Sequence, residues 1–196
     1  MIKIKRDKEG EIKLSCSIKL DGNLMEMEQE ILELVNEIGN KLTCEGLKKF
    51  DTDGSAIIKD GVKLTARSKN FKTYQTPYGV AKIERYVYQS SKGGRIYCPL
   101  EDHARIIYTA TPKFAQQISH KYAQGNAQAV RKDLSENHNR SIAKSTIQNI
   151  TDWVGSIACA KEEQWEYSLP KLEEAITTVV LSMDGAYINM VKEGYR

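Results

Sequence analysis

The chain has 196 residues, 40% of them hydrophobic and 28% charged, with only 4 Pro and a net charge of +3, a composition that builds a globular core and excludes a low-complexity polymer. No apolar run approaches the roughly eighteen residues that cross a bilayer, and the opening Met-Ile-Lys-Ile-Lys-Arg lacks the apolar block of a signal peptide, so a cytoplasmic location is expected. Cys16, Cys44, Cys98 and Cys159 and the histidines His103, His120 and His138 fall at spacings of neither a disulfide framework nor a zinc site; buried thiols and no structural zinc are expected.

In chain order, Ile2, Ile4, Ile12, Leu14, Cys16, Ile18 and Leu20 alternate with charged or small polar residues around Lys8-Glu9-Gly10, which predicts a half-buried hairpin. From Leu24 the period changes. Leu24, Met27, Ile31, Leu34, Ile38 and Leu42 predict a long amphipathic helix to about Phe50, with Glu26, Glu28 and Glu30 at the positive end of its dipole. Lys41 and Glu45 interrupt the coiled-coil-like seam after two heptads, so packing of the stripe into the core is favoured over a homodimer. Asp51-Thr-Asp-Gly54 opens like a calcium loop, but its twelfth position is Val62 where a bidentate Glu is needed, which leaves a turn. Ile57 to Leu64 reads as a hairpin about Asp60-Gly61. A second strand pair is expected about the Pro77-Tyr78-Gly79 turn, continuing to Tyr88. Ser90-Ser-Lys-Gly-Gly94 then makes a flexible connection to a short strand over 95–98, before Pro99.

A helix is expected from the Thr111 N-cap and Pro112 through Phe114, Ile118 and Tyr122 to Gly125. The next begins at Asn126 and buries Ala127, Val130 and Leu134; polar His138-Asn139-Arg140-Ser141 breaks the pattern, and Ile147, Ile150, Val154 and Ile157 resume it as one stripe. The opposite face carries Lys144, Ser145, Gln148 and Asn149. Gln and Asn can bond an adenine edge bidentately while Lys and Ser reach guanine or phosphate, so two helices and a turn with this outer face suit a reader of the major groove of double-stranded DNA. Arg140 and Thr146 complete the expected contact set, Arg140 and Lys144 as phosphate partners. An ordinary helical hairpin with a polar outer face is the competing reading. Charge favours DNA: residues 63–150 hold 15 Lys+Arg against 5 Asp+Glu, a net of +10, and the other residues sum to −7.

Residues 158–165 continue helically to a break near Pro170, the β-branched run 177–183 reads as a buried strand ending in Asp184-Gly185, and 186–191 alternate like its partner. The expected fold is α+β, in three parts: an N-terminal α+β region (1–110), a helix-turn-helix domain (111–170) and a terminal hairpin (171–196).

Val-Val-Leu-Ser-Met-Asp-Gly185 taken with Tyr74-Gln-Thr-Pro-Tyr-Gly79, Arg85-Tyr-Val-Tyr-Gln89, Tyr97-Cys-Pro-Leu-Glu-Asp102, Lys121-Tyr-Ala123 and Lys161-Glu-Glu-Gln-Trp165 resembles the N-terminal part of Kra-type insertion-sequence transposases, over residues 50–196. The resemblance implies a DDE enzyme with an RNase-H-like catalytic domain. Its terminal-repeat DNA would be held by the helix-turn-helix, in the segment matching residues 144–153, and Mg²⁺ or Mn²⁺ by an acidic triad. Asp184 matches the first catalytic, metal-binding carboxylate; the second Asp and the Glu would lie beyond Arg196. Two-metal phosphoryl chemistry needs several carboxylates, so this chain is expected to bind DNA, close to the nucleoid, without cleaving it and without holding a metal. The alternatives are a helix-turn-helix transcription regulator and a structural or oligomerisation module.

Overall fold

Asp60 and Gly61 both take positive φ, 49° and 75°, the geometry a two-residue hairpin turn requires, and they join β3 (Ile57–Lys59) to β4 (Val62–Gln75) with Lys59 opposite Val62. The computed structural model describes residues 2–6 and 11–166. β4 turns at Thr76, whose hydroxyl accepts from the Tyr78 and Gly79 amides, into β5 (Val80–Ser90), and a second reversal gives β6 (Gly93–Tyr97). The four strands form one antiparallel meander in sequence order. Two features depart from the pattern reading. β4 runs unbroken for 14 residues through a stretch whose outward side is nearly all polar, with Arg67 as the bulged residue between the paired Ala66 and Ser68. Pro99, expected only to end a strand, stands at the first position of the short helix α2 (Pro99–His103), where its missing N–H is no loss.

The fold is α+β. Besides the meander it has a two-stranded antiparallel hairpin, β1 (Ile2–Arg6) with β2 (Ile12–Cys16), in the register Ile2 to Cys16 and Arg6 to Ile12. Strand β2 stops before Ile18 and Leu20, which are exposed. Helix α1 (Leu24–Lys48) starts with a reciprocal cap: the Asn23 side chain accepts from the Glu26 amide at 3.1 Å, and Glu26 accepts from the Asn23 amide at 3.0 Å. Its fully buried residue is Leu47, near the end, with Cys44 packed beside it; of the stripe, Leu24 and Ile31 are exposed. The expected core packing of this stripe is therefore corrected at Leu24 and Ile31, whereas Met27, Leu34, Ile38 and Leu42 are half-buried. Close approach fixes the second half, since a Cβ on Gly39 would meet the Tyr78 ring at 2.4 Å, and the Asn40 amide bonds the Val80 carbonyl at 3.1 Å.

Helices α3 (Pro112–Ala123), α4 (Ala127–His138) and α5 (Lys144–Glu162) bury one apolar cluster of Phe114, Ala115, Ile118, Ala127, Val130, Leu134, Ile142, Ile147 and Ile150. The Asn126 side chain caps α4 by accepting from the Gln128 and Ala129 amides, as its position predicts. Thr111 stands at the N-cap of α3, but its hydroxyl makes no capping bond. Gln75 is where sheet and helices are fastened: its amide donates to the Thr109 carbonyl at 2.7 Å and its carbonyl accepts from the Thr111 amide at 2.9 Å. Residues up to Glu163 belong to one compact unit. No described helix is long and apolar enough to cross a membrane. Of the thiols, Cys98 is buried and Cys44 half-buried, while Cys16 and Cys159 are exposed against expectation. The terminal hairpin expected over 177–191, with Asp184, and the Lys8-Glu9-Gly10 turn lie outside the described residues.

Candidate nucleic-acid interface

Helix α5 is oriented by what it buries. Ile147 and Ile150 are fully buried and Val154 half-buried, whereas Ile157, the last residue of the expected stripe, is 41% exposed because the helix has run past its neighbours by then. This orientation leaves Lys144, Ser145, Gln148 and Asn149 exposed on the opposite side, side by side at steps of one, three and four. Thr146 is half-buried at the margin of that face. Asn149 is partly committed, since its amide donates to the Tyr108 hydroxyl at 3.2 Å. Asp152, one turn beyond Gln148, is also exposed on this side and was missed by the sequence reading, which looked for cations and amides. A carboxylate there can accept from a cytosine amino group and repels phosphate, so it restricts what the face can read.

The connection between α4 and α5 has five residues. Asn139 ends α4 in the left-handed conformation at φ 50°, Ile142 drops into the shared core, and Ala143 holds the N-cap position of α5 without a side-chain capping bond. The first amides of α5 thus receive nothing from a capping side chain, and the positive end of its dipole faces outward beside Lys144.

Arg140 corrects an expectation. It is 6% exposed, its Nη2 donates to Gln75 Oε1 at 2.9 Å, and its guanidinium stands 5.4 Å from the centre of the Phe114 ring. Burial pushes its pKa down from the ordinary value, and its Nε has no hydrogen-bond partner among the described residues. Arg140 is an internal tie between the helices and the end of β4; the surface phosphate contact assigned to it is withdrawn. Two other cations, Arg131 and Lys132, are exposed on the outer side of α4. With Gln128, Ser135, Glu136 and Ser141 they border a cavity of about 630 Å³ beside the start of α5. Their sequence signal is two adjacent cations just off the buried Val130 and Leu134 positions. Lys132 is held loosely by Glu136 at 3.8 Å, both side chains well exposed, a pair that salt and phosphate can displace.

A second polar cluster lies in the sheet. Glu101 of α2 accepts at Oε1 from Lys72 Nζ at 2.8 Å and from the Tyr74 hydroxyl at 2.7 Å, with Arg85 at 3.4 Å. Burial alone would raise the Glu101 pKa, but the hydrogen bonds from Lys72 and Tyr74 and the charges of Lys72 and Arg85 outweigh it and hold the carboxyl below its usual range. Burial, then the bond to Glu101, pushes the Tyr74 phenol well up. Lys72, Tyr74 and Arg85 all converge on this one carboxylate, which reads as an internal brace between β4, β5 and α2. Among the described residues no group of three or more His, Cys, Asp or Glu side chains is placed to hold a metal, and Asp184 falls outside them.

The positive charge is shared unequally between the two regions. Of the +10 on residues 63–150, residues 63–110 carry 9 Lys+Arg against 3 Asp+Glu and residues 111–150 carry 6 against 2. More of the basic surface therefore belongs to the sheet than to the helices. Compared with protein-family models, with curated proteins and with solved structures, the chain matches none.

Proposed function

We propose that this chain binds double-stranded DNA through α5, as the DNA-binding N-terminal part of an insertion-sequence transposase of the Kra type. The observation that carries the DNA reading is the exposed quartet Lys144, Ser145, Gln148 and Asn149 at the start of a helix whose other side is locked into a three-helix core. In this reading α4 and α5 are the two helices of a helix-turn-helix. The amides of Gln148 and Asn149 address base edges; Lys144 on α5 and Arg131 and Lys132 on α4 meet the phosphates on either side. The transposase identity rests on the sequence resemblance alone, and there Asp184 would be the first metal-binding carboxylate of a Mg²⁺- or Mn²⁺-dependent site.

The test is selection of bound duplexes from a random-sequence pool, followed by titration of the selected and a scrambled duplex at several salt concentrations. The reading expects one enriched motif and a preference of at least tenfold over the scrambled duplex, removed by Gln148→Ala with Asn149→Ala. Equal affinity for both duplexes would reduce α5 to a basic surface, and no salt-sensitive binding at all would leave a structural module. A transcription regulator and a transposase fragment would behave alike in this assay. They separate on whether the selected motif matches the terminal repeats of a mobile element.

A further inference from the structure

By register, Lys69, Phe71 and Thr73 of β4 and Lys82, Glu84 and Tyr86 of β5 share one face of the sheet, opposite the side that buries Tyr74, Ala81, Ile83 and Val87. Phe71 is 63% exposed in the middle of this face. The ring belongs to neither of the two buried apolar clusters, and what sets it apart from a lone surface hydrophobic is the company it keeps. Two lysines attend the aromatics: Lys82 Nζ lies 5.0 Å from the centre of the Phe71 ring and Lys69 Nζ 5.0 Å from that of Tyr86. The face continues into a groove of about 430 Å³ between the sheet and the end of α1, where Lys48, Lys69 and Lys82 outnumber the carboxylates Asp51 and Glu84 around Phe71. This is also the region that carries the larger share of the chain's basic excess.

We propose that this face is a stacking platform for single-stranded nucleic acid, separate from the α5 surface and not dependent on the reading given to α5. An exposed aromatic ring offers its π-face to an unstacked base, a mode that every base satisfies, and flanking lysines follow the phosphates. Phe71 and Tyr86 stand on adjacent strands one diagonal apart; Phe71 is the exposed ring that takes a base, and Tyr86, half-buried with its ring beside Gly54, borders it. Lys82 covers the Phe71 ring while the site is empty; being exposed and on a flexible stem, it swings from the ring to a phosphate when a base takes its place. A duplex cannot use this platform, because its bases are already stacked and its edges, not its faces, are open. Glu84 opposes the phosphates and is only loosely held by Lys69 at 3.6 Å between two exposed side chains. It therefore sets a sign for the test: neutralising it must tighten binding.

The experiment is anisotropy titration of fluorescein-labelled oligothymidylate and oligouridylate of about twelve nucleotides at several salt concentrations, with unlabelled duplex as competitor. Phe71→Ala, which touches no core position, should weaken oligonucleotide binding about tenfold, Phe71→Trp should keep it, Lys82→Gln should weaken it several-fold and Glu84→Gln should tighten it. Circular dichroism of each variant checks that the fold is kept, and duplex affinity through α5 should not move. Absence of binding to either oligonucleotide, equal affinity of Phe71→Ala and the parent, or weaker binding by Glu84→Gln would overturn the platform. Loss of self-association on Phe71→Ala in sedimentation, without a change in oligonucleotide affinity, would overturn it too and make the face a protein contact.

Discussion

The helical and the sheet regions bury their interiors by different means. Between α3, α4 and α5 the core is made of Phe, Ile, Leu, Val and Ala side chains, and the buried Arg140 beside it is tied off at the edge by Gln75. Under the sheet the apolar layer of Ala81, Ile83 and Leu100 is completed by Tyr74, and one carboxylate, Glu101, holds the phenol, a lysine and an arginine together. The apolar cluster of the first holds no titratable side chain, and at its margin the partly exposed Lys121–Asp133 pair joins α3 to α4, the hydrogen bond from Lys121 and then that from Asn137 holding the Asp133 carboxyl below its usual range. The second depends on an ionised group, so pH and charge substitutions should separate two regions that share one compact unit.

The comparison breaks most sharply at Ile147, which is fully buried. Ile147→Asp should cost about 4 kcal/mol or more, since an unpaired carboxylate in an apolar core has no partner, and urea unfolding with helical circular dichroism would record it. Next in size is Glu101→Ala. Removing one member of a buried pair strands the others at about 3–5 kcal/mol. Here the carboxylate is 28% exposed, and a loss of about 2–3 kcal/mol is expected. Arg140→Ala should follow at about 1–2 kcal/mol, from the lost Gln75 bond and the lost cation–π contact with Phe114, and the salt dependence of DNA binding should stay as it was. A change in that slope would return Arg140 to the surface.

Acid titration sharpens the same contrast. The folded Glu101 has a lowered pKa, so its contribution is complete above the unfolded value near 4.5 and is lost as pH falls through the lower folded one. Thermal unfolding between pH 6 and 3 should therefore show a steeper loss of stability in the parent than in Glu101→Gln. Identical slopes would mean that the cluster does not hold the sheet. The smallest expected effect belongs to the outer side of α4: Arg131→Ala and Lys132→Ala should leave stability unchanged within about 0.5 kcal/mol, yet each should lower the log-affinity versus log-salt slope by about one unit.

These same differences decided what the sequence could disclose. The helical core was legible because Val130, Leu134, Ile147 and Ile150 obey a 3.6-residue period and Asn126 announces a start. The Asp60-Gly61 and Pro77-Tyr78-Gly79 turns named the strand pairs. The middle of β4 was not legible, because Lys69, Phe71 and Thr73 face water and their inward neighbours, Ser68 and Lys72, are themselves polar. Arg140 was misread for a different reason: its partner Gln75 is 65 residues away, and local pattern carries no record of such a contact. The α1 stripe shows the converse, since a correct helical period said nothing about how much of the helix the sheet would cover.

The central claim is that the outer face of α5 reads a DNA sequence, and the measurement closest to it is the affinity of the double variant Gln148→Ala, Asn149→Ala for a selected duplex and for its scrambled counterpart. Loss of the two amides should cost roughly 1–3 kcal/mol on the selected duplex and almost nothing on the scrambled one, with thermal stability and salt slope unchanged. An equal loss on both duplexes, or no loss on either, would contradict sequence reading by this helix.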